Sequence, residues 1–172
     1  MVNGKFISTA LAFQLLSVPA LSQETIGTIT GQFDGEELQW FVTTDDGKSQ
    51  SDWTNMGPLA DVNIFAQPTA DTVDAIKGTL LIGFQLFNLN ATPAVATPEV
   101  TYLKEGYSGM FGSRGDAKFT IEEASIQGDT LHVKGSFEGE IYYSTDYLRT
   151  LDTRDPKMVS GQFDVNLDPV SK

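Results

Sequence analysis

Cysteine is absent from this 172-residue chain, so no disulfide can staple the fold and stability must come from a hydrophobic core. The same absence rules out the lipid-bearing cysteine that a bacterial lipoprotein carries at its cleavage site. Histidine is almost absent: there is only His132. A zinc site would therefore need carboxylates for its remaining ligands, an unusual donor set. A Ser-His-Asp triad would depend on His132 alone, and no Gly-x-Ser-x-Gly elbow accompanies it. Alternation puts this histidine on the polar face of its strand, where a solvated side chain is the ordinary outcome.

Basic residues are scarce as well, 11 against 23 acidic ones, for a formal charge of −12. Such a field repels nucleic acids and anionic lipid surfaces, so neither is an expected partner. Long apolar runs are missing apart from Phe6 to Val18, which is too short and too early for a transmembrane helix. That run follows Lys5 and precedes "ALS", the pattern of a cleavable signal peptide. The reading places a signal peptide at residues 1–22 and a single domain at 23–172. Cleavage removes Lys5 and leaves 10 basic against 23 acidic residues, a formal charge of −13. Export without disulfides points to a bacterial periplasmic or secreted protein with no membrane anchor.

What the chain does contain is period-2 alternation. From Leu131 the odd positions run Leu131, Val133, Gly135, Phe137, Gly139, Ile141, Tyr143, while the even ones begin His132, Lys134, Ser136, Glu138, Glu140. One face is for burial and the other for water. Val159 to Leu167 repeats the pattern, and "FTIEEASI" leads through Gly128-Asp129 into Leu131 as a hairpin. Thr25 to Asp34 and Glu37 to Thr44 flank "DGE", a second hairpin signal. "DVNIFAQ", "TLLIGFQLF" and a short "EVTYL" complete the set, with "DTVDAIK" and "TDYLRTL" long enough for no more than a turn of helix. The expected fold is all-β, an antiparallel β-sandwich or flattened barrel of about eight strands.

A β-branched residue, a glycine and a phenylalanine recur at alternate positions in "ITGQF", "VKGSF" and "VSGQF". A glycine weakens a strand unless something large fills its space. One antiparallel register puts Gly135 opposite Phe163 and Phe137 opposite Gly161 together, each ring lying over the facing glycine. The first strand is expected to repeat this on the last, with Gly31 against Phe163 and Phe33 against Gly161. In "TLLIGFQLF", Leu81 and Phe87 make the second face apolar too, and the loop "NLNATPAVATPE" is expected to lie over it. A ligand cavity or a subunit interface is the alternative cover.

No catalytic residue stands out, and no cofactor is implied. Asp45, Asp46 and Asp52 share one loop and are the calcium candidates, although the spacing lacks the EF-hand pattern. "LDTRDP" reads as a locally paired turn, and Arg114-Gly115-Asp116 is a tripeptide common by chance. In "YSGMFGSRGD", Tyr107, Met110 and Phe111 either fold back as a plug over the end of the fold or touch a partner. Trp40 is expected in the core and Trp53 at the surface. Trp53, Tyr107, Phe111, Tyr142 and Tyr147 are the candidate ligand-binding residues, because aromatic faces stack on sugar rings. The expected function is a non-enzymatic extracytoplasmic binding module for a sugar or protein ligand. The alternatives are a carboxylate-dependent hydrolase such as a glycosidase, or a β-barrel carrier of a small apolar ligand.

Overall fold

A computed structural model describes residues 23–45, 47–71, 76–89 and 92–170. The proposed signal peptide, the candidate ligand Asp46, and Thr72 to Ala75 of "DTVDAIK" lie outside the described residues. The described chain is all-β, with strands β1 (Glu24–Phe33), β2 (Glu36–Asp45), β3 (Lys48–Ser49), β4 (Asp52–Asn55), β5 (Leu59–Ala66), β6 (Thr79–Phe87), β7 (Ala94–Tyr107), β8 (Met110–Gly112), β9 (Lys118–Gln127), β10 (Thr130–Ser144) and β11 (Asp152–Leu167). All of these strands join one antiparallel sheet in the order β3-β2-β1-β11-β10-β8-β7-β6-β5-β4, with β9 also on β10. "TDYLRTL", a possible helical turn by sequence, is an irregular turn between β10 and β11.

Turn chemistry sets the hairpins. Asp34 and Gly35 join β1 to β2 with φ of 51° and 84°, the two positive values of a type I′ turn, whose twist matches that of the strands. Gly128 opens the two-residue β9–β10 turn at φ 65°. Long strands then let the sheet curl. The first half of β10 pairs with β9 and its end with β8, so the two partners diverge from one strand. The curl is laced elsewhere by bridges: Phe41 and Gln67 exchange both backbone hydrogen bonds, and the Trp53 N–H donates to the Asp168 carbonyl at 3.2 Å.

Curling makes one face the interior. Ile29 and Phe33 of β1, Trp40 and Val42 of β2, Leu80 to Leu86 at alternate positions of β6, and Leu131 to Ile141 of β10 are buried there. Phe84 of β6 meets Phe119 of β9 at 5.2 Å and Phe163 of β11 at 6.0 Å, so rings from opposite stretches of the sheet fill its middle. A second aromatic file, Trp40–Tyr102–Phe33–Phe111, runs toward the β7–β8 end at centroid spacings of 6.0, 4.9 and 5.1 Å.

The glycine–phenylalanine expectation holds between β10 and β11, where Gly135 faces Phe163 and Phe137 faces Gly161. It does not hold in register between β1 and β11. These strands do pair, but Gly31 faces Gly161, Ile29 faces Phe163 and Phe33 faces Val159. The reason is volume: the Phe137 ring already occupies the space over Gly161, leaving none for a second ring. The backbones close up instead, and a Cβ on Gly31 would collide with the Ser160 carbonyl.

The stretch after Phe87 also differs from expectation. From Ala94 it is strand rather than loop, and it lies beside β6 with Phe87 opposite Ala94 and Leu86 opposite Val95. It extends the sheet instead of covering it, because backbone pairing satisfies more groups than an irregular cover would. Leu81 and Phe87 are consequently half-exposed. Leu81 borders a shallow hollow of about 270 Å³ with Phe65 and Thr101.

Candidate functional site

The sequence candidates separate into buried and exposed sets. Trp53, expected at the surface, is 4 % exposed, and its indole N–H donates to the Asp129 carbonyl at 3.0 Å. It is a tie between β4 and the β9–β10 turn, not a free stacking face. The polar residues around it in sequence concealed this, since the acceptor lies 76 residues away. Tyr142 is buried too. Its hydroxyl donates to Glu140 Oε2 at 2.8 Å, which holds the phenol above its ordinary pKa range, and the Arg114 guanidinium lies 6.0 Å from its ring. Phe111 is half-buried and packs on Phe33 and on Tyr143 at 5.3 Å. Together with buried Met110 it forms the plug; the segment is strand β8, not loop.

Tyr107 and Tyr147 remain outside. They are 47 % and 67 % exposed and face one another at 6.0 Å with 34° between planes. Residues 40 apart in sequence are thus brought together by the β8–β10 pairing.

Of the calcium candidates, Asp52 accepts a hydrogen bond from Asn63 Nδ2 at 3.2 Å, and Asp45 pairs with Lys48 in the β2–β3 hairpin. Among the described residues no group of three or more histidines and carboxylates could hold a metal ion. His132 is less solvated than expected: Nε2 lies 2.9 Å from Asp164 Oδ1 and Nδ1 lies 3.5 Å from Glu123 Oε1. The "LDTRDP" turn is locally paired as expected, with Arg154 Nη2 2.6 Å from Asp152 Oδ2. Hydrogen bonds from Arg154 hold the Asp152 carboxyl down at about 2.

Sequence reasoning missed a groove of about 960 Å³ on the face of the sheet turned away from the core. Its floor is the glycine region of β1 and β11, where Gly31 and Gly161 face each other. Cross-strand register arranges its side chains in two rows. Gln39, Thr30, Gln162, Ser136 and Thr120 follow one another across β2, β1, β11, β10 and β9. Glu37, Gln32, Ser160, Glu138 and Lys118 form the next row over the same strands. Amides and hydroxyls dominate; Gln32 Nε2 donates to Ser160 Oγ at 3.3 Å, and Lys118 lies 3.6 Å from Glu138. The signal that was available was the polar half of the opening motifs, Thr30 and Gln32, Ser136, and Ser160 and Gln162. Only pairing turns three separate dipeptide patterns into one surface.

Chemically, this surface offers many neutral donors and acceptors. Its two glutamates, Glu37 and Glu138, sit on strands three spacings apart, about 14 Å at roughly 4.8 Å per spacing. The described residues include no helix long and apolar enough to cross a membrane. No known protein family, curated protein or solved structure matches the chain.

Proposed function

We propose that this protein is an exported, non-enzymatic binding module that holds a neutral carbohydrate chain in the five-strand groove. One observation carries the reading: two parallel rows of side chains rich in amides and hydroxyls line a groove of about 960 Å³. Amide and hydroxyl groups donate and accept at once, which suits a ligand covered in hydroxyls. Rigid strands hold them, so little ordering cost falls on binding. The chain's net negative charge disfavours acidic glycans. The signal-peptide pattern of residues 1–22 supports a periplasmic or secreted setting.

Two observations weigh against the alternatives. The carboxylate pair of a glycosidase stands roughly 5–9.5 Å apart, and the two groove glutamates, Glu37 and Glu138, spring from backbones about 14 Å apart at roughly 4.8 Å per strand. A carrier of an apolar ligand needs an empty interior, whereas Trp40, Phe84, Phe137 and Phe163 fill this one.

Affinity electrophoresis through gels containing dextran, laminarin, xylan or alginate tests the proposal. Retardation is expected in at least one neutral gel and not in alginate. Gln162→Ala and Gln39→Ala should reduce it while leaving the thermal midpoint unchanged. Free migration in every gel, or release of reducing ends from the polysaccharide, overturns the reading.

A further inference from the structure

We infer that Tyr107 and Tyr147 form a second subsite that stacks on the apolar face of a sugar ring, farther along β10, the strand that also lines the groove. The inference rests on the carbohydrate reading and extends it to a ligand long enough to reach both places.

Backbone conformation is the first support. Tyr147 and Leu148 are consecutive left-handed residues, at φ 60° and 63°. A residue with a Cβ rarely adopts this conformation, and two in a row persist only where the surroundings over-determine them. Here they do. Buried Ser144 Oγ accepts from the Leu148 N–H at 3.1 Å and donates to Asp146 Oδ1 at 2.8 Å, and Asp146 Oδ1 also accepts from the Thr150 N–H at 2.9 Å. Leu148 is seated against Gly112, where a Cβ would stand 2.8 Å from its Cδ2. The outcome of this restraint is a tyrosine left in solvent.

Tyr107 is held as firmly. Gly106 turns the chain at φ 72°, the Glu105 N–H donates to the Gly109 carbonyl at 3.0 Å, and Ser108 Oγ donates to the Glu105 carbonyl at 3.1 Å. Two phenols carried on restrained turns therefore meet at 6.0 Å, so little backbone ordering is needed on binding.

Position and size select the ligand. β10 lines the groove with Ser136 and Glu138 and, further along, anchors the Tyr147 turn through buried Ser144. Six residues separate Glu138 from Ser144, about 20 Å at roughly 3.3 Å per residue. The exposed parts of the two rings total roughly 200–250 Å². A protein partner needs about 800 Å² per side, whereas a single sugar ring needs no more than this pair presents.

The test compares dextran, laminarin and xylan polymers with their di- and trisaccharides, using Tyr107→Ala, Tyr147→Ala, Asp146→Asn and Gln162→Ala by titration calorimetry. Loss of one stacking ring should weaken polymer binding about tenfold, leaving binding of the short oligosaccharides unchanged. Asp146→Asn should weaken polymer binding in the same way with both rings present, because it loosens the turn. Gln162→Ala should weaken long and short ligands alike. Unaltered thermal midpoints of the two tyrosine variants serve as the folding control. If polymer binding falls only with Gln162→Ala, the groove stands and the subsite is wrong. If it falls only with the tyrosine variants, the subsite stands and the groove is wrong. Absence of binding to every probe overturns both. A wild-type dimer in sedimentation that the tyrosine variants abolish makes the pair a self-association surface and overturns the subsite.

Discussion

Phe137 lies over Gly161: the two face each other across β10 and β11, and a Cβ on Gly161 would stand 2.9 Å from two atoms of the ring. The volume the glycine leaves vacant is the volume the ring occupies. Phe137→Ala should cost about 3–5 kcal/mol, as for other core aromatics. Gly161→Ala should also destabilise, by about 1–3 kcal/mol through overpacking, although alanine is otherwise the less costly strand residue. The double variant should lose less than the two singles combined, because the added methyl then enters emptied space. Urea unfolding of all three decides it, and additive losses would show that the pair is not in contact.

Trp53 and Trp40 should both resist acrylamide. Trp40 is 1 % exposed and donates its indole N–H to the Gly78 carbonyl at 3.0 Å, a burial equivalent to that of Trp53. Single-tryptophan variants are expected to quench slowly and alike. Trp53→Ala should cost about 3–5 kcal/mol. Its removal leaves a cavity beside the point where the Val170 N–H donates to the Trp53 carbonyl at 3.0 Å. Fast quenching of Trp53 alone would mean that β4 is detached from the C-terminal segment.

Ser51 supplies a hydrogen bond that the sheet lacks. β4 begins at Asp52, and the buried Ser51 hydroxyl accepts from the Phe65 N–H at 2.8 Å and lies 3.2 Å from its carbonyl oxygen, acting in place of a strand neighbour. Ser51→Ala should cost about 1–3 kcal/mol, the penalty of stranding a buried donor. Amide exchange at Phe65 should quicken in parallel; an unchanged rate would mean that water replaces the hydroxyl.

Acid should release the Tyr147 turn. The Thr150 backbone N–H, with Thr150 and Ser144 hydroxyls, holds the Asp146 carboxyl below its ordinary value of 3.8. A depressed folded value means a contribution present above the unfolded pKa and lost as pH falls through the folded one. The Tyr107–Tyr147 ring contact should therefore persist down to about pH 4 and fade below it. Asp146→Ala should show the faded state at neutral pH. Nuclear Overhauser contacts between the two rings provide the measurement, and a contact unaffected by Asp146→Ala would refute the restraint.

Alternation along single strands was enough to reveal an all-β antiparallel fold, because the choice between faces of a strand is local and recurs every second residue. Glycine and phenylalanine at alternate positions revealed the β10–β11 register for a similar reason: one ring fits one gap. Local signals end there. The β1–β11 register depended on which of two rings reached Gly161 first, and Trp53 turned inward because a carbonyl 76 residues away accepts its indole proton. The groove needed five strands side by side, since Thr30, Gln162, Ser136 and Thr120 make a surface only once hydrogen-bond pairing has aligned them. Tyr107 and Tyr147 were recognisable as aromatics in turns, but their meeting follows from β8 closing on β10. Alternation by itself assigned the two faces of the long strands; the curl of the sheet decided which residues stand together and which, like Trp53, are covered.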